Sequence, residues 1–181
     1  MSAGVPGHRD GGDPGDRARA SVHVAVEPAD AFALFTEEID RWWRNGLRYR
    51  VGGRGRSVIR LEPGVGGRLY ETIETDGGTR IVRTGRVTHW EPPSRLAFAW
   101  RAVNFAPDES TSVEVTFAPS AGGTLVTVTH AGWSRIRPDH PARHGQPVGA
   151  FLRMMGLWWG ELLTSLREHA ASPPRDAEPP R

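Results

Sequence analysis

The chain has 181 residues and a formal net charge of +2, and its 23 basic residues are all arginine. That arginine usage explains a pI of about 9.9 without a large excess of charge, and no long cationic run marks an extended nucleic-acid surface. With no cysteine, disulfides, thiolate metal sites and cysteine nucleophiles are excluded.

The first residues lack the apolar run of a signal peptide, and no stretch of about 18 apolar residues is available to span a bilayer. A cytoplasmic protein without membrane insertion is the expectation. Residues 1–19 are rich in Gly, Asp, Arg and Pro, and residues 172–181 are mostly Pro and charge. Neither segment carries enough apolar surface to offset the entropy of ordering, so both read as disordered tails around one domain at 20–171.

In chain order, SVHVAVEP alternates as a strand, with Val22, Val24 and Val26 on one face. PADAFALFTEEIDRWW reads as a helix opening at Pro28, a favoured first helical position, followed by a short turn carrying Ile39, Trp42 and Trp43. GLRYRVGGRGR is a loop whose Arg48, Arg50, Arg54 and Arg56 read as solvated, with capture of a ligand carboxylate as the alternative. From Ser57 the period becomes two. SVIRLEP and GRLYETIET are strands joined by PGVGG, where Gly66 and Gly67 serve a positive φ or a bulge. Asp76-Gly77-Gly78 predicts a hairpin, and TRIVRTGRVTHW is a long strand stopped by Glu91-Pro92-Pro93-Ser94.

Three further strands follow. RLAFAWRAV places Leu96, Phe98 and Trp100 on one face, and TSVEVTFAP places Val113, Val115 and Phe117 together. After the Ala121-Gly122-Gly123 turn, TLVTVTHAGW aligns Val126, Val128 and His130. SRIRPDHPARHGQP is a loop. The last element is an amphipathic helix from about Val148 to Ala170. Its apolar arc is Phe151, Met155, Trp158, Trp159, Leu162, Leu163 and Leu166, and Arg153, Gly160, Glu161, Thr164, Arg167 and Glu168 lie opposite. Strands flanked by helices at both ends predict an α+β fold, a curved antiparallel sheet covered by the long last helix.

This order, with GVGGRLYE at 64–71, RVTHWEPPSRLAFAWR at 86–101 and THAGW at 129–133, resembles the START-like helix-grip (SRPBCC) superfamily. Within it the chain is similar to the branch containing the C-terminal domain of the activator of the ninety-kilodalton heat-shock-protein ATPase. The resemblance covers residues 20–170. It implies a sheet of about seven strands gripping the C-terminal helix and enclosing a cavity for a small hydrophobic molecule. Catalysis of the cyclase, aromatase or hydrolase kind in the same cavity is the alternative, and a chaperone-contacting module is another. The co-chaperone's additional N-terminal domain has only a short segment in its place here.

For a cavity of that kind, the aromatic candidates are Trp42, Phe98, Trp100, Phe105, Trp133 and Trp159, drawn from a set that includes the pairs 42/43 and 158/159. Met155, with Met154 at the edge of the arc, supplies an adaptable thioether. His130 is expected to point inward, as a satisfied core histidine or as a group that orients a ligand or takes its proton. Glu71, in phase with Leu69 and Ile73, and His89, in phase with Val87, are the candidates for an inward acid/base pair. His140 and His144 have an i, i+4 spacing, but Pro138 and Pro141 break the helix that zinc ligation at this spacing needs, so no metal is expected. No Gly-x-Ser-x-Gly elbow or P-loop is present, and no cofactor is expected. Gly156 and Gly160 fall off the apolar arc, which leaves a close surface contact, and with it a homodimer, open.

Overall fold

The computed structural model describes residues 15–53, 56–101 and 104–172. Strand β1 (Arg17–Val24) leads into helices α1 (Pro28–Thr36) and α2 (Ile39–Trp42). Strands β2 (Ser57–Leu61), β3 (Arg68–Thr75), β4 (Gly78–Glu91), β5 (Arg95–Trp100), β6 (Thr111–Ser120) and β7 (Gly123–Ala131) follow, and helix α3 (Val148–Ala170) closes the domain. The seven strands form one antiparallel sheet in the order β1-β7-β6-β5-β4-β3-β2. This is the α+β helix-grip architecture expected from the sequence.

The inner face of the sheet carries Ile59, Leu69, Leu96, Phe98, Val113, Val115, Phe117, Val126 and Val128, all buried. Against it lie Trp159, Leu162, Leu163 and Leu166 of α3, and Phe32, Phe35, Ile39 and Trp42 of α1 and α2. Each large side chain sealed this way contributes about 1.5–3 kcal/mol. A satellite cluster of Ala18, Phe105, Trp133, Ile136, Phe151 and Leu152 joins the start of α3 to the far end of β1. Arg167 and His169 lie in the last turn of α3, where cations favour the helix dipole, and His169 Nε2 sits 2.7 Å from Glu38 Oε2.

Two local features differ from expectation. Strand β1 starts at Arg17, inside the segment assigned to the N-terminal tail. Ala18 points inward between exposed Arg17 and Arg19, and buried Asp16 accepts hydrogen bonds from Ser134 N (3.0 Å) and Ser134 Oγ (2.6 Å). Composition counted those charges, whereas the alternation placed them. The remaining tail assignments, 1–14 and 173–181, lie outside the described residues, as does Arg54.

The second difference lies in β4. Leu69 pairs with Gly85 and Tyr70 with Arg83, so Thr84 is an extra residue. Val87 pairs with Phe98 and His89 with Ala97, so Thr88 is another. Each bulge reverses the inside–outside phase of the strand and bends the sheet. His89 therefore turns outward, half-exposed, with Nε2 3.0 Å from Glu91 Oε2. Gly66, at φ 91°, and Gly67, where a Cβ would collide with the Glu62 carbonyl, show why PGVGG needs its glycines.

Candidate ligand crevice

Between α2 and β2 the chain makes a loop that leans on α3, and its position depends on two buried groups. Arg50 is 4 % exposed. Its guanidinium donates to Asp40 Oδ1 (2.7 Å) and to the carbonyls of Asp40 (2.9 Å), Trp43 (2.7 Å), Arg44 (3.2 Å) and Ser57 (3.2 Å). The expectation that Arg50 is solvated is therefore wrong. A loop without secondary structure leaves carbonyls unpaired, and one planar cation with five donors gathers them. Glu71 is buried too, and its carboxylate accepts from Val51 N (2.7 Å) and Gly52 N (2.9 Å). Glu71 and His89 consequently form no acid/base pair: one anchors a loop and the other faces out.

The rest of the loop is fastened to α3. Trp158 Nε1 donates to the Arg48 carbonyl at 2.9 Å, Tyr49 Oη donates to Glu161 Oε2, and Arg48 pairs with Glu161 Oε1 at 3.2 Å. Desolvation, then the bond to Glu161, raises the Tyr49 pKa above its ordinary 10, so the phenol remains a donor. Beneath the loop the rings are layered. Tyr49 stacks on Trp158 (5.9 Å, 22°), Trp43 stacks on Trp100 (6.2 Å, 15°), and Trp100 meets Trp158 edge-on (6.1 Å, 77°).

Two cavities open around this stack. One of about 210 Å³ is lined by Trp43, Tyr49, Ile59, Leu69, Glu71 and Thr84, among others. The other, about 280 Å³, is lined by Trp133, Ala142, His144, Phe151, Met154 and Met155. Leu47, Arg48, Trp100 and Trp158 line both, so the two are lobes on either side of a shared aromatic wall.

Of the residues expected around a cavity, Trp100, Trp133 and Met155 line a lobe. Trp42, Phe98 and Trp159 lie in the packed core instead, with Trp42 Nε1 donating to the Leu34 carbonyl (3.0 Å). Phe105 belongs to the satellite cluster and borders a separate groove on the sheet. Tyr49, Leu47 and Arg48 were not among the expected lining residues; the signal for them was a tyrosine between arginines in a glycine-bounded loop.

His130 is fully buried and lines neither lobe. Trp159 Nε1 donates to its Nδ1 at 3.2 Å, which puts the ring proton on Nε2, 2.7 Å from Thr111 Oγ1. Burial lowers its pKa from 6.5 to about 3, so it is neutral at any ordinary pH. His140 is also buried, with Nε2 2.9 Å from the Asn104 carbonyl and Nδ1 accepting from Ala142 N at 3.0 Å; both nitrogens are occupied. Among the described residues no helix is long and apolar enough to cross a membrane.

Comparison with known proteins agrees with this architecture. A Rhodobacter sphaeroides protein of known structure is 24% identical, with a TM-score of 0.58 over 89% of this chain and 95% of its own. The Aha1 dimer of Colwellia psychrerythraea is 16% identical, with a TM-score of 0.56 over 85% and 95%. CalU16 of Micromonospora echinospora is 16% identical, with a TM-score of 0.52 over 86% and 85%. A comparison with curated protein sequences finds no match. Residues 25–171 match the family model described as activator of Hsp90 ATPase homolog 1-like protein, and the chain belongs to that family.

Proposed function

We propose that this protein is a cytoplasmic binder of a small, flat, largely apolar molecule, held in the crevice between the 47–51 loop and α3. The observation that carries this reading is the shared wall of Trp100 and Trp158 between two aromatic lobes. Each lobe falls below the roughly 300 Å³ at which ligand pockets begin, so a ligand of ordinary size would displace the wall and occupy both. Flat rings exchange one stacking partner for another at little cost, which suits that displacement.

Catalysis of the cyclase or hydrolase kind finds less support. His130 is sealed from both lobes, and both Glu71 oxygens are taken by backbone donors. A chaperone-contacting role rests on family membership and would act through the surface, leaving crevice substitutions silent. N-phenyl-1-naphthylamine, a neutral fluorescent aromatic, is a suitable probe. It should bind one to one, and Trp158→Ala should weaken it about tenfold with the fold retained by circular dichroism. Loss of fluorescence enhancement in the parent, together with no ligand retained in native mass spectrometry, would reject the binder.

For assembly, a homodimer is the proposed state. Leu47 (86 % exposed), which lines both lobes, and Leu157 (70 % exposed), the residue before Trp158 on α3, are apolar side chains left open to solvent. Sedimentation velocity should give a dimer that Leu157→Asp converts to monomer; a monomeric parent at micromolar concentration rejects it.

A further inference from the structure

The face of the sheet turned away from the crevice gathers arginines. Leu69, Glu71 and Ile73 of β3 are buried, so Arg68 and Tyr70 point the other way. Across the ladder, Arg68 stands opposite Arg86, and Tyr70 stands between Arg60 of β2 and Arg83 of β4. Arg86 pairs with Ala99, and Arg101, two residues on, keeps that face with its N–H bonded to the Thr84 carbonyl at 2.8 Å. Arg68, Arg80, Arg83, Arg86 and Arg101 border a groove of about 620 Å³ whose walls include Gly66, Gly85 and Ala99.

The charges there are poorly balanced. Glu62 is committed to Arg68, whose hydrogen bonds, with a smaller contribution from the Arg83 charge, hold its pKa at about 2. Arg101 donates to the carbonyls of Ala106 (2.7 Å) and Pro107 (3.0 Å), which fix the cation without cancelling it. Arg80, Arg83 and Arg86 make no ion pair among the described residues. Like charges directly opposite on paired strands are destabilising, and Arg68 and Arg86 are such a pair.

We propose that this groove binds a small multiply charged phosphate anion, with Arg83, Arg86 and Arg101 as its ligands. A guanidinium offers parallel donors that match two phosphate oxygens. Adjacent strands lie about 4.8 Å apart, so the three cations can grip neighbouring phosphate groups of one molecule. The small walls Gly66 and Ala99 let the anion approach the strands closely. The patch is local: further along the same face, Glu114 pairs with Arg95 and Glu91 with His89, which breaks any continuous basic track of the length a nucleic acid needs. The aromatic lining of the crevice lies on the other face of the sheet, and only Thr84, the extra residue of the β4 bulge, borders both sites; this inference does not rest on the crevice.

Calorimetric titration of the full chain with inorganic pyrophosphate tests it, with sodium chloride at matched ionic strength and a single-stranded oligonucleotide as comparators. Saturable binding is expected, weakened at least about tenfold in the double variant Arg83→Gln/Arg86→Gln. Both residues are exposed, so the variant should fold, and circular dichroism checks that. Three results would overturn the proposal: no heat beyond the sodium chloride control, pyrophosphate affinity unchanged in the double variant, or an oligonucleotide bound more tightly than pyrophosphate per molecule.

Discussion

Arg50→Met should lower the unfolding free energy by about 2–4 kcal/mol, under the roughly 3–5 kcal/mol of breaking a fully buried, hydrogen-bonded ion pair. The guanidinium serves four carbonyls and the Asp40 carboxylate, and no apolar side chain can satisfy them. Asp40 keeps its bond from Ile59 N at 2.9 Å and is 40% exposed, which holds the loss below that of a fully sealed charge. Arg50→Lys should recover little, because a point ammonium cannot reach five acceptors spread over 18 residues of chain, Asp40 to Ser57. Urea denaturation at constant m-value measures the loss. A change under about 1 kcal/mol would mean that the bonds contribute nothing net.

His130→Ala should cost a similar amount, about 3–5 kcal/mol, by a different route. It opens a cavity beneath Trp133, whose ring lies 4.9 Å away, orphans Trp159 Nε1, and leaves Thr111 Oγ1 only its longer bond to the Trp100 carbonyl at 3.5 Å. The same residue shapes the pH profile. Its folded pKa of about 3 lies below the unfolded 6.5, so between these values the unfolded chain holds a proton that the folded chain does not. Its contribution is whole above pH 6.5 and is lost as pH falls, at up to about 1.4 kcal/mol per unit. Glu62 and Glu91 are also held below their ordinary 4.5, but they are present in parent and variant alike. The difference between the two stability curves isolates His130. It should slope from pH 6.5 downward and be flat above; a flat difference throughout would show that the histidine is not sealed.

Much of this was legible from residue patterns. The seven strands, the order of the elements and the apolar arc of α3 follow from periods of two and 3.6, because those periods are what burial imposes on strands and helices. The site was harder. Trp42, Phe98 and Trp159 satisfied the same apolar criterion as Trp100 and Trp133, and periodicity places all of them inward without telling a filled core from a cavity wall. His89 was lost to a bulge: one extra residue, Thr88, reverses every later side chain, and nothing in THW announces it. Glu71 was correctly expected to point inward, but its role, like the burial of Arg50, was missed for a related reason. Their partners are backbone groups of a loop, and a sequence does not show which carbonyls a loop leaves unpaired.

The loop over the crevice is held by unequal means. At residues 50–52 its fastenings are buried, through the Arg50 guanidinium and the Glu71 carboxylate, whereas residue 48 is held by Glu161 and Trp158 on the helix surface, and residue 49 by Glu161 and by buried Trp43, whose Nε1 donates to the Tyr49 carbonyl at 3.0 Å. Water and salt reach the Arg48–Glu161 pair more readily than the bonds of Arg50 and Glu71. Opening therefore has a built-in direction, peeling from residue 48 toward residue 51 about a stationary end. Raising ionic strength would loosen the Arg48–Glu161 pair well before it weakens the bonds of Arg50 and Glu71. The two ends of one short loop thus depend on different residues, and either set of fastenings can be altered by substitution without touching the other.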